Sequence, residues 1–282
     1  MADSADAIAA DLRSADSDRY LATLFAPAEK RRALQALYAF NVEIAGIREK
    51  VTQPLAGEMR IQWWRDQLQA AARGAADAEQ GHPVLSSLNE AITVYALPLQ
   101  AFDNYLEARI FDLYDDPMPS KTHLEGYLGE TSSALLQLAA LILDPVSAAG
   151  FADAAGHGGC AQGMVAILRA LPAHRRRGQV YMPGDILNAT GLSAQEFNAA
   201  GDGRSGMAVA ALAAVARQHL RDFEKAAKAV PPGLRPAFLP LSIVGHYLDR
   251  IEADPQRCLS APPSVSPLCR HLSLLGRALR GW

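Results

Sequence analysis

The stretch APAEKRRALQALYAFNVEIAGIREKV, residues 26–51, decides the fold. Leu37, Phe40, Ile44, Ile47 and Val51 fall at intervals of three and four, which lays them along one face of an α-helix over residues 31–51. Pro54 and Gly57 end that helix. Working outward, the same period predicts helices over 58–72, over 84–96 up to Pro98, and over 100–114 up to Pro117 and Pro119. Ser120 is placed to cap the next helix. Further helices follow over 129–143, 147–170, 204–230 and 236–253, and a loop over 172–188 carries Pro183 and Gly184. Ser193 with Glu196 forms a capping box opening a short helix. APPSVSP, residues 261–267, reads as a linker before a last helix that runs to Trp282. Short connections between many apolar-faced helices imply an all-α fold, one helical bundle over residues 1–282.

Composition narrows the function classes. The 282 residues suffice for a sizeable core, half are hydrophobic, and the net charge is -3, so no basic excess directs the chain to nucleic acid. Three cysteines, Cys160, Cys258 and Cys269, show no metal spacing and suit a reducing compartment. The N-terminus has acidic residues where a signal peptide needs basic ones, and no apolar run approaches the roughly 18 residues of a spanning helix. The expected location is cytoplasmic, with peripheral contact at the inner membrane.

Three segments carry a longer pattern. In the first, Pro27, Arg31, Ala33, Ala36, Leu37, Tyr38, Ala39 and Phe40 fit a string P-x-x-x-R-x-A-x-x-A-L-Y-A-F. The second is ARIFDLYDDPMPS with Tyr127 and Gly129 after it. In the third, Ile167, Leu168, Arg169, Gly178, Tyr181 and Pro183 fit N-I-L-R-D followed by G-R-x-Y-L-P, with Gln162 one residue out of step. Together they resemble the squalene and phytoene synthases over nearly the whole chain. FNVEIAGIRE, IQWWRDQL and EARIFDLYDDP are most similar to the branch containing mitochondrial complex I assembly factor 6 and its bacterial relatives. The resemblance implies an isoprenoid-synthase-like bundle with a central cavity. In the family, carboxylates four apart on two facing helices hold Mg²⁺, which clamps a substrate diphosphate and helps it leave.

This sequence departs from that pattern at the metal-binding positions. The first acidic motif falls on Ala45, Gly46 and Glu49, and the preceding arginine on Val42. The second falls on Ala166, Ala170, Ala173 and His174. Alanine cannot ligate magnesium, and histidine suits this oxygen-seeking ion poorly. Pro172 is placed to end its helix early. A displaced site would have to draw on Glu49 and Asp112, whereas Asp115 and Asp116 read as a turn cluster ahead of Pro117.

No residue is therefore assigned a catalytic or metal-binding role. The pocket or anion-binding candidates are Arg31, Tyr38, Asn41, Glu49, Asp112, Gln162, Arg169, His174, Arg175, Arg176 and Tyr181. The run 174–177 reads either as a solvated charged loop or as a basic mouth for phosphate or anionic lipid, joined by Arg31 and Arg169. Acid loss beside these arginines would leave the pocket net positive. Trp63 and Trp64 read as core packing, and His157 among glycines as a flexible stretch. The last helix, acid-free and with leucines among arginines, either closes the bundle with its apolar face inward or lies on an anionic membrane.

The expected function is a degenerate synthase-fold protein, a non-catalytic lipid-binding or complex I assembly-type factor. The expected partners are an anionic or isoprenoid lipid and a respiratory-complex subunit, with no nucleic acid. No cofactor is expected. The alternative is an active prenyltransferase joining two isoprenyl diphosphates head to head, which would need Mg²⁺. A third reading is a metal-independent activity on a phosphorylated or prenylated substrate.

Overall fold

The computed structural model describes residues 2–74, 81–199 and 203–282. Among these residues every regular element is a helix. In chain order the first are α1 (Ala2–Ala15), α2 (Ser17–Thr23), α3 (Ala28–Ala45), α4 (Ile47–Lys50), α5 (Pro54–Ala72), α6 (Pro83–Tyr95) and α7 (Leu99–Arg109). Then come α8 (Lys121–Leu128), α9 (Ala134–Leu143), α10 (Pro145–Ala148), α11 (Ala152–Arg177), α12 (Gly184–Ala189) and α13 (Ala194–Ala199). The last are α14 (Gly203–Ala226), α15 (Arg235–Phe238), α16 (Val244–Ala253) and α17 (Pro267–Arg280). They group into two compact units, each drawn from three stretches of chain.

The first unit holds Met1–Tyr114, Ala134–Ala152 and Pro231–Pro240. Its centre is α3, against which α1, α6 and α9 pack. Phe40, fully buried, sets ring contacts with Trp64 at 5.3 Å, Phe102 at 5.7 Å and Tyr105 at 5.3 Å, joining α3 to α5 and α7. Each such pair adds roughly 0.5–1.5 kcal/mol beyond the area it buries. The apolar run of α9 is core, as its composition implies. The continuous helix expected to residue 51 stops at Ala45, and the chain restarts as α4 after Gly46. Glycine weakens a helix interior by about 1 kcal/mol, and buried Ile47 on the far side fixes the new direction.

The second unit holds Asp115–Ser133, Asp153–Val230 and Leu241–Trp282. It is built on α11, 26 residues long. A Cβ on Gly159 would sit 2.3 Å from the Cα of Ser133, and one on Gly163 would sit 2.3 Å from a methyl of Leu128. Only glycine lets α11 lie this close to α8 and the π-helical turn Gly129–Ser133 that follows it. The glycine-rich stretch around His157 is thus a rigid packing face inside a helix, not the flexible segment its composition suggested. Pro172 does not end α11 either: it lies buried within the helix, which continues to Arg177. A proline costs the helix one hydrogen bond, and burial of Leu171 and Pro172 with four basic residues at the negative end of the dipole offsets that loss. Gly178, at φ +81°, terminates it, with Gln179 N–H donating to His174 O at 3.0 Å. The Ser193–Glu196 capping box forms as read, each backbone N–H meeting the other residue's side chain.

Two expectations follow. Gly159→Ala is expected to destabilise the protein by about 1–3 kcal/mol, read as a lowered melting temperature; an unchanged melt would show that α11 yields easily. Burial pushes the thiols of Cys160 and Cys258 up to about 11, whereas Cys269 is half-exposed. Brief maleimide treatment of the native protein near neutral pH is expected to modify one thiol per chain, at Cys269, and denatured protein all three.

Candidate functional site

The sequence candidates fall into both units. In the first, α3 carries Tyr38 and Asn41 on its buried face. Asn41 is the hub of a polar network. Its Oδ1 accepts from the Tyr105 hydroxyl at 2.8 Å and from the Arg109 guanidinium at 3.4 Å. Arg109 also donates to the Tyr105 oxygen at 3.2 Å and to the Asp112 carboxylate at 3.0 Å. Beside this network, Asp16 caps α2 and holds Arg19 at 2.5 Å, and the Arg19 guanidinium lies 5.7 Å from the centre of the Tyr38 ring. Burial raises the phenol pKa of both Tyr38 and Tyr105 despite the nearby guanidiniums, so both stay neutral donors. The Tyr38 hydroxyl, almost fully buried, has no hydrogen-bond partner among the described residues.

In the first unit the arginines beside Tyr38 and Asn41 are matched by carboxylates. Arg19 and Arg109 each face a carboxylate, Asp16 and Asp112, because a buried guanidinium without one is too costly. Asp112 is thereby engaged in an ion pair rather than offered to a metal with Glu49, which lies exposed on α4. Among the described residues, no three His, Cys, Asp or Glu side chains are grouped to hold a metal ion. Arg31 donates to Ala26 O at 2.9 Å, fastening the start of its own helix. A cleft of about 820 Å³ beside α1, α3 and α6 contains none of the candidate residues. Of the two adjacent tryptophans, Trp64 is core as expected, but Trp63 is 40% exposed.

In the second unit, Gln162, Ala166, Arg169, Ala170 and His174 follow one another along α11. Ala166 is exposed and Ala170 half-buried, so this stretch of helix presents methyl groups. Arg169 stacks on the Tyr247 ring at 3.9 Å, and Arg270 donates to the Tyr247 hydroxyl at 3.3 Å. The His174 ring meets Tyr181 at 4.7 Å, and Tyr181 meets Tyr127 at 6.1 Å. Tyr181 belongs to the buried segment 179–182, held by Met118 N–H donating to Val180 O at 2.9 Å. The run 174–177 is the last turn of a helix and not a loop. Arg175 donates to Leu259 O at 3.1 Å and Asn198 O at 3.0 Å, a strut between segments rather than an anion ligand. Arg176 is exposed.

Sequence reasoning missed Arg19, Tyr105, Arg109 and Tyr247, although Asp16 with Arg19 and Arg109 with Asp112 stand three apart, the spacing of neighbours on a helix. It also missed a polar relay in the second unit. The Nδ1 atoms of His157 and His219 lie 3.0 Å apart, and His219 Nε2 meets Glu125 at 3.1 Å.

Comparisons with known proteins bear on the family and the fold. The squalene/phytoene synthase family model matches residues 12–269. The mouse NADH dehydrogenase (ubiquinone) complex I, assembly factor 6 is 33% identical over 242 residues, covering 86% of this chain and 72% of the relative. Presqualene diphosphate synthase of Rhodopseudomonas palustris is 25% identical over 181 residues, 64% of this chain and 63% of that enzyme. Among solved structures, a dehydrosqualene synthase in complex with ligand superposes with a TM-score of 0.79 at 16% identity, covering 97% of this chain and 95% of the other. Squalene synthase HpnC from Alicyclobacillus acidocaldarius gives 0.74 at 18% identity, covering 92% and 95%. The fold is that of these synthases, and the chain belongs to the squalene/phytoene synthase family.

Proposed function

We propose that the protein is a non-catalytic member of its family that serves the assembly of a respiratory NADH dehydrogenase. The observation that carries this reading is the similarity to complex I assembly factor 6, 33% identical over 86% of the chain. The side chains support it. Ala45, Gly46 and Ala170 stand where the family's metal-binding acids are expected and Ala166 where its asparagine is, and Asp112 pairs with Arg109. Alanine and glycine offer Mg²⁺ no ligand, and without the metal a diphosphate is held weakly. A second reading, a working prenyltransferase, draws on the weaker similarity to presqualene diphosphate synthase. It would need metal-binding carboxylates at the positions that Ala45, Gly46 and Ala170 occupy.

Two measurements test the proposal. The purified protein incubated with farnesyl and geranylgeranyl diphosphate, Mg²⁺ and NADPH is expected to release no diphosphate and form no prenyl product. Loss of the gene in its host is expected to lower the assembled dehydrogenase. Turnover at enzymatic rates, or an unaltered dehydrogenase, would overturn it. Separately, Asp112→Ala is expected to cost about 3 kcal/mol, the cost of removing the counter-charge of a largely buried guanidinium, read as a lowered urea midpoint. Added Mg²⁺ should not shift the wild-type melt; a shift that Asp112→Ala removes would make Asp112 a metal ligand.

A further inference from the structure

Helix α17 is mounted with its apolar face outward. At 100° per residue, Leu268, Leu272, Leu275 and Leu279 fall within an arc of about 60°. They are 69%, 59%, 46% and 71% exposed. The opposite face does the packing. There Leu274 is buried, Arg270 donates to the Tyr247 hydroxyl at 3.3 Å, Ser273 meets His246 at 3.0 Å, and Arg277 reaches Glu224 at 3.5 Å. Trp282 just beyond the helix stacks on Phe223 at 4.5 Å and lies 4.6 Å from the Arg277 guanidinium. A helix that only closed the unit would turn its leucines inward and its arginines to water. Here polar contacts and one tryptophan fix the rotation, and the leucine stripe faces solvent.

The charge around the stripe selects what covers it. Residues 261–282 contain Arg270, His271, Arg277 and Arg280 and no Asp or Glu. His271 and Arg280, both exposed, lie to either side of the leucines. Two copies meeting through this stripe would bring like charges together. Four leucines on a 14-residue helix also offer less than the roughly 800 Å² per partner of a stable interface. An anionic headgroup layer over acyl chains meets both needs: it receives leucines at the depth of a flat-lying helix and pairs with Arg280 beside them. Among the described residues no helix is long and apolar enough to cross a membrane, so the contact is peripheral.

We propose that α17 docks the protein on an anionic membrane surface, its axis parallel to the plane and Leu268, Leu272, Leu275 and Leu279 seated among the acyl chains. The proposal stands apart from the assembly reading, since it concerns a surface remote in sequence from the α3 motif and requires no partner protein.

The test is co-sedimentation of the full chain with vesicles of phosphatidylcholine and phosphatidylglycerol in two-to-one ratio, beside vesicles of phosphatidylcholine alone. The wild type is expected to bind the anionic vesicles at least about tenfold more tightly than the neutral ones. Leu272→Glu with Leu275→Glu is expected to lose at least tenfold in binding while melting as the wild type does, because both positions face water. If the glutamate pair lowers the melt, Leu272→Ser with Leu275→Ser repeats the measurement. Sedimentation of the free protein should show a monomer. No binding by the wild type, equal binding to both vesicle types, undiminished binding by a folded variant, or a dimer that the variant splits would each overturn the proposal.

Discussion

A guanidinium taken out of water must bring its counter-charge with it, and the first unit is arranged around that requirement. Arg109 reaches Asn41 on α3, Tyr105 on its own helix and Asp112 in the turn beyond, so one cation ties three segments together. Arg19 does the same with Asp16 beside Tyr38. Each of these guanidiniums meets one carboxylate, so Asp16 and Asp112 serve as counter-ions for arginine within the first unit.

The second unit is organised along α11. Gly159 and Gly163 hold α11 against the turn at Gly129–Ser133, and Gly178 ends it with the buried segment carrying Tyr181. These are demands of backbone geometry, indifferent to what stands at residues 166 and 170. Alanine at those positions is compatible with the helix, and the fold is shared with synthases at TM-scores of 0.74 and 0.79 with 18% and 16% identity.

Most of the helices were legible in the sequence because their apolar residues recur with helical period and their ends carry proline or a cap, as at Pro98, Ser120 and Ser193. What periodicity could not reveal was direction. It marked the leucines of α17 as a face but not which way that face points, because the contacts of Arg270, Ser273, Arg277 and Trp282 that set the rotation are tertiary. The same holds for Arg31 and Arg175. Both read as free cations until their backbone carbonyl partners, fixed only by folding, came into view. Pro172 misled for a different reason: the rule that proline ends helices gives way where burial and the helix dipole compensate for one lost bond.

Pro172 has one more effect. With no N–H to give, it leaves the carbonyl of Leu168 without its usual helical donor, so the last turn of α11 has one bond fewer tying it to the rest of the helix. That turn is secured from outside, by the two carbonyls that Arg175 grips and by the glycine cap behind it. The basic tip of α11 is therefore held by contacts to other segments as well as by its own helix.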